Sequence, residues 1–164
     1  MALLRSPRAH PCAALALLLL TALAACTGGT PRRAAPGGAA MAGPLAGYAG
    51  GGLAFEGNDL PFDQLLARCR ATGKPAMLYF TTSWCGYCRK LERETLSDPA
   101  VGQHMSGYVN VHYDGESAVG QPLAKRFGVR GFPTLVRVDA SGASTGSWEG
   151  FDVPRDFMRR IPAR

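Results

Sequence analysis

The chain has 164 residues, room for one domain and a tail, and a formal net charge of +6. Of its 18 basic residues, Arg5, Arg8, Arg32 and Arg33 fall outside the folding part; from residue 53 onward 14 Lys and Arg face 12 Asp and Glu. Arg68, Arg70, Arg89, Lys90, Arg159 and Arg160 are spaced like solvated helix faces, which disfavours a nucleic-acid role.

At the N-terminus, Arg5 and Arg8 precede an apolar run, residues 12–23, too short to span a bilayer and of the length of an export signal's core. The run ends in Leu23-Ala24-Ala25-Cys26, small residues directly before a cysteine, which resembles the bacterial lipobox. Residues 1–25 are then a lipoprotein signal peptide, and Cys26 is the lipid-bearing first residue of the mature chain. The alternative is an ordinary signal cut at an A-x-A-like site such as Ala22-Leu23-Ala24. Either reading exports the chain to a compartment where disulfides persist. The expected location is the periplasmic face of a bacterial membrane, with the outer membrane open because Thr27 follows Cys26. Residues 26–52 are mostly Gly, Ala and Pro and read as a flexible tether. The folded domain is expected at residues 53–164.

Residues 53–55 suggest a short strand. Asn58 or Asp59 then caps a helix with Pro61 in its first turn; Phe62, Leu65, Leu66 and Cys69 mark its buried face, and Gly73 ends it. Cys69 reads as a small core hydrophobe, with a third redox role as the alternative. Residues 76–80 form an apolar, buried strand. It runs through small polar residues into Trp84-Cys85-Gly86-Tyr87-Cys88, after which the pattern is helical. Two cysteines three apart at a helix start make a specific arrangement. Cys85 lies where free backbone N–H groups and the positive end of the helix dipole stabilise a thiolate, and Cys88, one turn on, can attack a mixed disulfide on Cys85. Half of a zinc site and a purely structural disulfide are the alternatives. The first lacks a second ligand pair, since His10, His104 and His112 are isolated. No metal and no cofactor are expected.

Ser97-Asp98-Pro99 starts a second, short helix that stops near residues 106–107. Residues 108–113 alternate as a strand with Val109 and Val111 on one face and His112 opposite, at the surface or the sheet edge. Leu123, Ala124 and Phe127 mark a helix closed by Gly128, followed by the strand 135–138, a hairpin turn at 139–142, and a strand at 144–148. Asp152-Val153-Pro154 caps a last helix with Phe157, Met158 and Ile161. Helix-linked strands imply parallel pairing and the hairpin implies antiparallel pairing, so the sheet should be mixed.

Trp84-Cys85-Gly86-Tyr87-Cys88-Arg89, followed by Gly131-Phe132-Pro133-Thr134, resembles the active-site motif and cis-proline loop of the thioredoxin superfamily, over about residues 53–161. Residues 94–101 resemble the C-terminal periplasmic domain of the reductant exporter DsbD and exported proteins close to it. The resemblance implies an α/β thioredoxin fold, a central mixed β-sheet flanked by helices on both faces, and a monomer. It implies Cys85 as attacking thiolate, Cys88 as resolving thiol and Pro133 as the cis-proline. Trp84, Gly86, Tyr87, Phe132 and Thr134 border a groove for peptide. The implied activity is that of a thiol–disulfide oxidoreductase acting on protein disulfides, in the reducing direction through the DsbD-like flanks and recharged by a membrane thiol donor of the DsbD type. Oxidase or isomerase action, and a non-catalytic binding module, are the alternatives.

Three positions depart from the superfamily's pattern. Tyr79 stands where thioredoxin buries an acid, six residues before Cys85. Glu92, one turn after Cys88, is a substitute proton carrier if it turns inward, although its polar surroundings predict a solvated side chain. Arg93 replaces a helix-kinking proline, so a straighter helix is expected. The dipeptide Gly86-Tyr87 resembles the isomerase DsbC, but no dimerisation domain of that kind accompanies it.

Overall fold

The computed structural model describes residues 51–164; the expected signal peptide, Cys26 and residues 27–50 of the expected tether lie outside the described residues. In chain order the elements are α1 (Phe62–Thr72), β1 (Ala76–Thr81), α2 (Gly86–Leu91), a π-helical segment (Glu92–Leu96), α3 (Pro99–His104), β2 (Val109–Asp114), α4 (Gly120–Arg126), β3 (Thr134–Val138), β4 (Ser144–Glu149) and α5 (Pro154–Arg160).

The strands form one mixed sheet in the order β2-β1-β3-β4. Strand β1 pairs parallel to β2 and antiparallel to β3, and β3 pairs antiparallel to β4. The helix-linked strand β3 is therefore not parallel to its neighbour, against expectation. Strand β2 ends beside the end of β1, with Thr81 opposite Asp114, and β3 begins at that same edge, with Thr134 opposite Phe80. The connection through α4 passes over β1 and starts and finishes at the same end of the sheet, so the strand that follows runs the other way.

Every residue of β1 is buried because both faces are covered. Met77 and Tyr79 point to one face, where Leu91, Leu96, Val101, Met105, Phe157 and Ile161 from α2 through α3 and from α5 cover them. Ala76, Leu78 and Phe80 point to the other, against Leu65 and Cys69 of α1 and Leu123 and Ala124 of α4. Cys69 is a free, fully buried thiol in this second cluster, as a core hydrophobe should be.

Several local expectations are corrected by long-range partners. Residues 53–55 form no strand, although Leu53 and Phe55 are buried; the segment runs along the edge of β2 and makes one parallel bridge, between Asn58 and His112. Asn58 and Asp59 do not cap α1. The Asn58 carbonyl accepts from His112, and the Asp59 carboxylate accepts from the backbone N–H of Asp114 at 3.0 Å. Helix α1 begins after Pro61 with no side-chain cap. Asp152 likewise leaves α5 uncapped because its carboxylate is bound by Arg160. Asp98, by contrast, does cap α3, accepting from the N–H of Ala100 at 2.7 Å.

The helix after the cysteine pair is not straightened by the loss of proline. From Glu92 to Leu96 it widens into a π-helical turn, with the Ser97 N–H donating to the Glu92 carbonyl five residues back. The extra residue in the turn brings Leu96 round beneath Leu91, and both are fully buried on the same face of the sheet.

Candidate active site

The C-terminal edge of β1 and the start of α2 carry the two cysteines. Cys85 is the N-cap of α2, and its sulfur accepts from the backbone N–H of Cys88 at 3.0 Å. The two are joined as a disulfide, with Cα atoms 5.3 Å apart. Both are almost wholly covered, at 3% and 2% exposure. The loop ahead of them is tied down from both ends: the Cys85 N–H donates to the Thr82 carbonyl at 3.1 Å, and the Arg89 guanidinium donates to the Ser83 carbonyl at 2.9 Å.

Two large aromatic side chains stand out beside the disulfide, Trp84 at 64% and Tyr87 at 66% exposure. Trp84 packs edge-on against Phe132, with ring centroids 6.1 Å apart, which joins the cysteine loop to the loop before β3. In that second loop the Phe132–Pro133 peptide bond is cis. The Pro133 carbonyl accepts from the N–H of Gly150, while the Thr134 hydroxyl donates to the Gly131 carbonyl at 2.8 Å. Thr134 is 2% exposed, so it braces the loop from behind. Among the described residues the N–H and C=O of Phe132 have no hydrogen-bond partner, whereas the carbonyls on either side, of Gly131 and Pro133, are both taken.

Beneath the disulfide, the Tyr79 hydroxyl lies 3.3 Å from Glu92 Oε1 and 3.4 Å from the Cys88 carbonyl. The sequence expectation of a solvated Glu92 does not hold: the residue is half-buried, and its carboxyl is raised above the ordinary carboxylate range. Burial is the larger cause, opposed by the Tyr79 hydroxyl and by Arg89 and Arg93. On the other side of Tyr79, the His112 ring lies 5.7 Å away, half-buried at the sheet edge under the segment that carries Asn58. Its Nδ1 lies 3.1 Å from the Asn58 side-chain carbonyl and its Nε2 lies 2.6 Å from the Thr81 hydroxyl, and burial lowers the pKa of the ring.

Sequence reading missed three supports of this site. The Trp84 indole N–H donates to Glu116 at 2.9 Å, a partner 32 residues away. Gly115 lies under Phe132, where a Cβ would stand 2.5 Å from the ring and force it to move. Lys90 lies over the Phe151 ring, 4.4 Å from its centroid. Nothing in the local spacing signals these pairs; only the glycine in the turn after β2 hints at a close approach.

The family model described as a thioredoxin-like domain matches residues 62–161. The thiol:disulfide interchange protein DsbD of Cronobacter sakazakii is 38% identical over 78 residues, which is 46% of this chain but 14% of that protein. A thioredoxin from Thermus thermophilus superposes with a TM-score of 0.54 at 32% identity, over 60% of this chain and 79% of its own. The oxidised C-terminal domain of DsbD from Neisseria meningitidis agrees in fold, with a TM-score of 0.52 at 24% identity over 60% of this chain and 87% of its own.

Proposed function

This chain belongs to the thioredoxin-like domain family, and from that premise we propose that it is an exported, lipid-anchored thiol–disulfide oxidoreductase that reduces protein disulfides. The observation that carries the reading is the Cys85–Cys88 disulfide at the start of α2, bridged through Trp84 and Phe132 to the cis-Pro133 loop.

The exchange follows from the geometry. In the reduced protein the Cys85 thiolate, favoured by the helix start and the Cys88 N–H, attacks one sulfur of a client disulfide and expels the other as a thiolate. Cys88, deprotonated, then attacks the Cys85 sulfur, re-forms the Cys85–Cys88 disulfide and expels the client's remaining sulfur. Two electrons pass from protein to client. The free N–H and C=O of Phe132 supply a strand edge on which an extended client pairs, with Trp84, Gly86, Tyr87 and Pro133 around it. Glu92, held with a raised pKa beneath Cys88 and touching the Tyr79 hydroxyl, receives the proton that Cys88 loses.

The reducing direction rests on likeness to DsbD, whose name describes thiol:disulfide interchange and of which the matched stretch covers 14%. A membrane thiol donor of that type would restore the dithiol. Export and the lipid on Cys26 rest on the N-terminal sequence; no described helix is long and apolar enough to cross a membrane.

The test is trapping. In Cys88→Ser the second attack is lost, so clients stay disulfide-linked to Cys85 and are recovered from exporting cells under non-reducing conditions. A variant that accumulates no mixed disulfide, while Cys85→Ser keeps full biological activity, would leave a binding module instead. A reduction potential near about −120 mV, that of a strong oxidant, would reverse the proposed direction.

A further inference from the structure

We propose that Glu149 is a specificity-determining residue of the groove, selecting client segments with a Lys or Arg close to the attacked cysteine. The inference rests on the oxidoreductase reading above and names its substrate class.

Glu149 is the last residue of β4 and pairs with Thr134, the residue directly after Pro133. The Gly150 N–H donates to the Pro133 carbonyl at 2.9 Å, so the backbone carrying Glu149 is fixed to the cis-proline loop. Its side chain folds over that loop: a Cβ built on Gly131 would stand 2.4 Å from Glu149 Oε1. The carboxylate therefore occupies space that Gly131 leaves open, one residue before the unpaired backbone of Phe132.

Glu149 is exposed, and no cation meets it. The ion pairs among the described residues are Arg68–Glu56, Arg159–Asp156 and Arg160–Asp152. Arg130, exposed in the same loop, makes no ion pair with it. An extended client paired along Phe132 would carry a side chain past Gly131, whose open side faces this carboxylate. The acid at the other end of the groove, Glu116, is already engaged by Trp84. An unpaired negative charge beside the client favours a cationic side chain there and disfavours an anionic one.

The experiment uses the pre-reduced full chain and three oxidised peptides, each closed by one disulfide and differing only in Lys, Gln or Glu two residues from a cysteine. Single-turnover rate constants are read as the protein dithiol passes two electrons to the peptide disulfide. The Lys peptide should react about two- to fivefold faster than the Gln peptide, the range of a single exposed ion pair. The ratio should shrink with added salt. In Glu149→Gln it should fall to about one, and in Glu149→Lys it should invert. Because each ratio is taken within one protein preparation, partial misfolding does not alter it. Equal rates in the parent protein, or a Lys preference that survives Glu149→Gln, overturn the proposal. So does a preference for the Glu peptide that disappears in Arg130→Gln. If no peptide is reduced, it is the oxidoreductase reading itself that falls.

Discussion

Two residues that flank Tyr79 respond to pH in opposite directions. The Glu92 carboxyl is raised, chiefly by burial, and the His112 ring is lowered, chiefly by burial against the opposing pull of Asp59 and Asp114. A carboxyl with a raised folded-state pKa contributes stability that is complete below its unfolded value and is lost as pH rises through the folded one. Near neutral pH, then, the half-buried Glu92 carboxyl works against the fold. Glu92→Gln keeps an acceptor for Tyr79 and does not titrate. Urea unfolding should show the variant more stable than the parent at about pH 7, with the gap closing at about pH 4, where an ordinary carboxylate is half protonated. A gap of the same size at both pH values would mean that the Glu92 carboxyl is not perturbed. The same residue is the proposed proton acceptor, so the stabilised variant should also exchange disulfides more slowly, as expected where function is built on an unfavourable group.

At the scale of elements, the helices were legible where their signals are local and misread where a distant partner takes the capping group. Asp98 caps α3 as its position before Pro99 predicts, whereas Asn58, Asp59 and Asp152 are claimed by His112, Asp114 and Arg160. The cysteine pair and the cis-Pro133 loop were readable because each is a short motif on one turn. The Trp84–Glu116 and Tyr79–Glu92 contacts were not, because they join separate elements. The π-helical segment was hidden for a similar reason: widening the turn serves the burial of Leu96 beneath Leu91, and the sequence contains no residue that forces it. A second tight seam lies at α3. A Cβ on Gly102 would stand 2.5 Å from the Gly51 carbonyl and 2.7 Å from the Gly52 carbonyl carbon, both backbone. Gly→Ala inside a helix ordinarily gains about 1 kcal/mol. Here the backbone contact opposes it and cannot be relieved by a rotamer change, so Gly102→Ala should lower the urea midpoint. A raised midpoint would place the 51–52 segment away from α3.

For the whole molecule, the mixed sheet was foreseen from the order of strands and helices, and its two covered faces from the resemblance to the thioredoxin superfamily. The direction of β3 was not, because parallel pairing assumes a connection that runs back to the opposite end of the sheet, and the one through α4 passes over β1 and finishes at the end where it started. That return is what brings Pro133 to the edge where Cys85 begins its helix, so the misread connection is also the one that assembles the site. The N-terminal reading belongs to this scale too. Cys26→Ser should abolish incorporation of labelled palmitate in exporting cells and release the chain from membranes; continued labelling would point to another anchor.

The account depends on Cys85 being an acidic thiol. Titration of thiolate absorbance in the reduced protein tests this directly, and the buried Cys69, whose thiol burial pushes up, does not intrude at low pH. The account predicts a first ionisation well below the free-cysteine value of about 8.5, retained in Cys88→Ser and absent in Cys85→Ser. A midpoint for Cys85 at the free-cysteine value would contradict it.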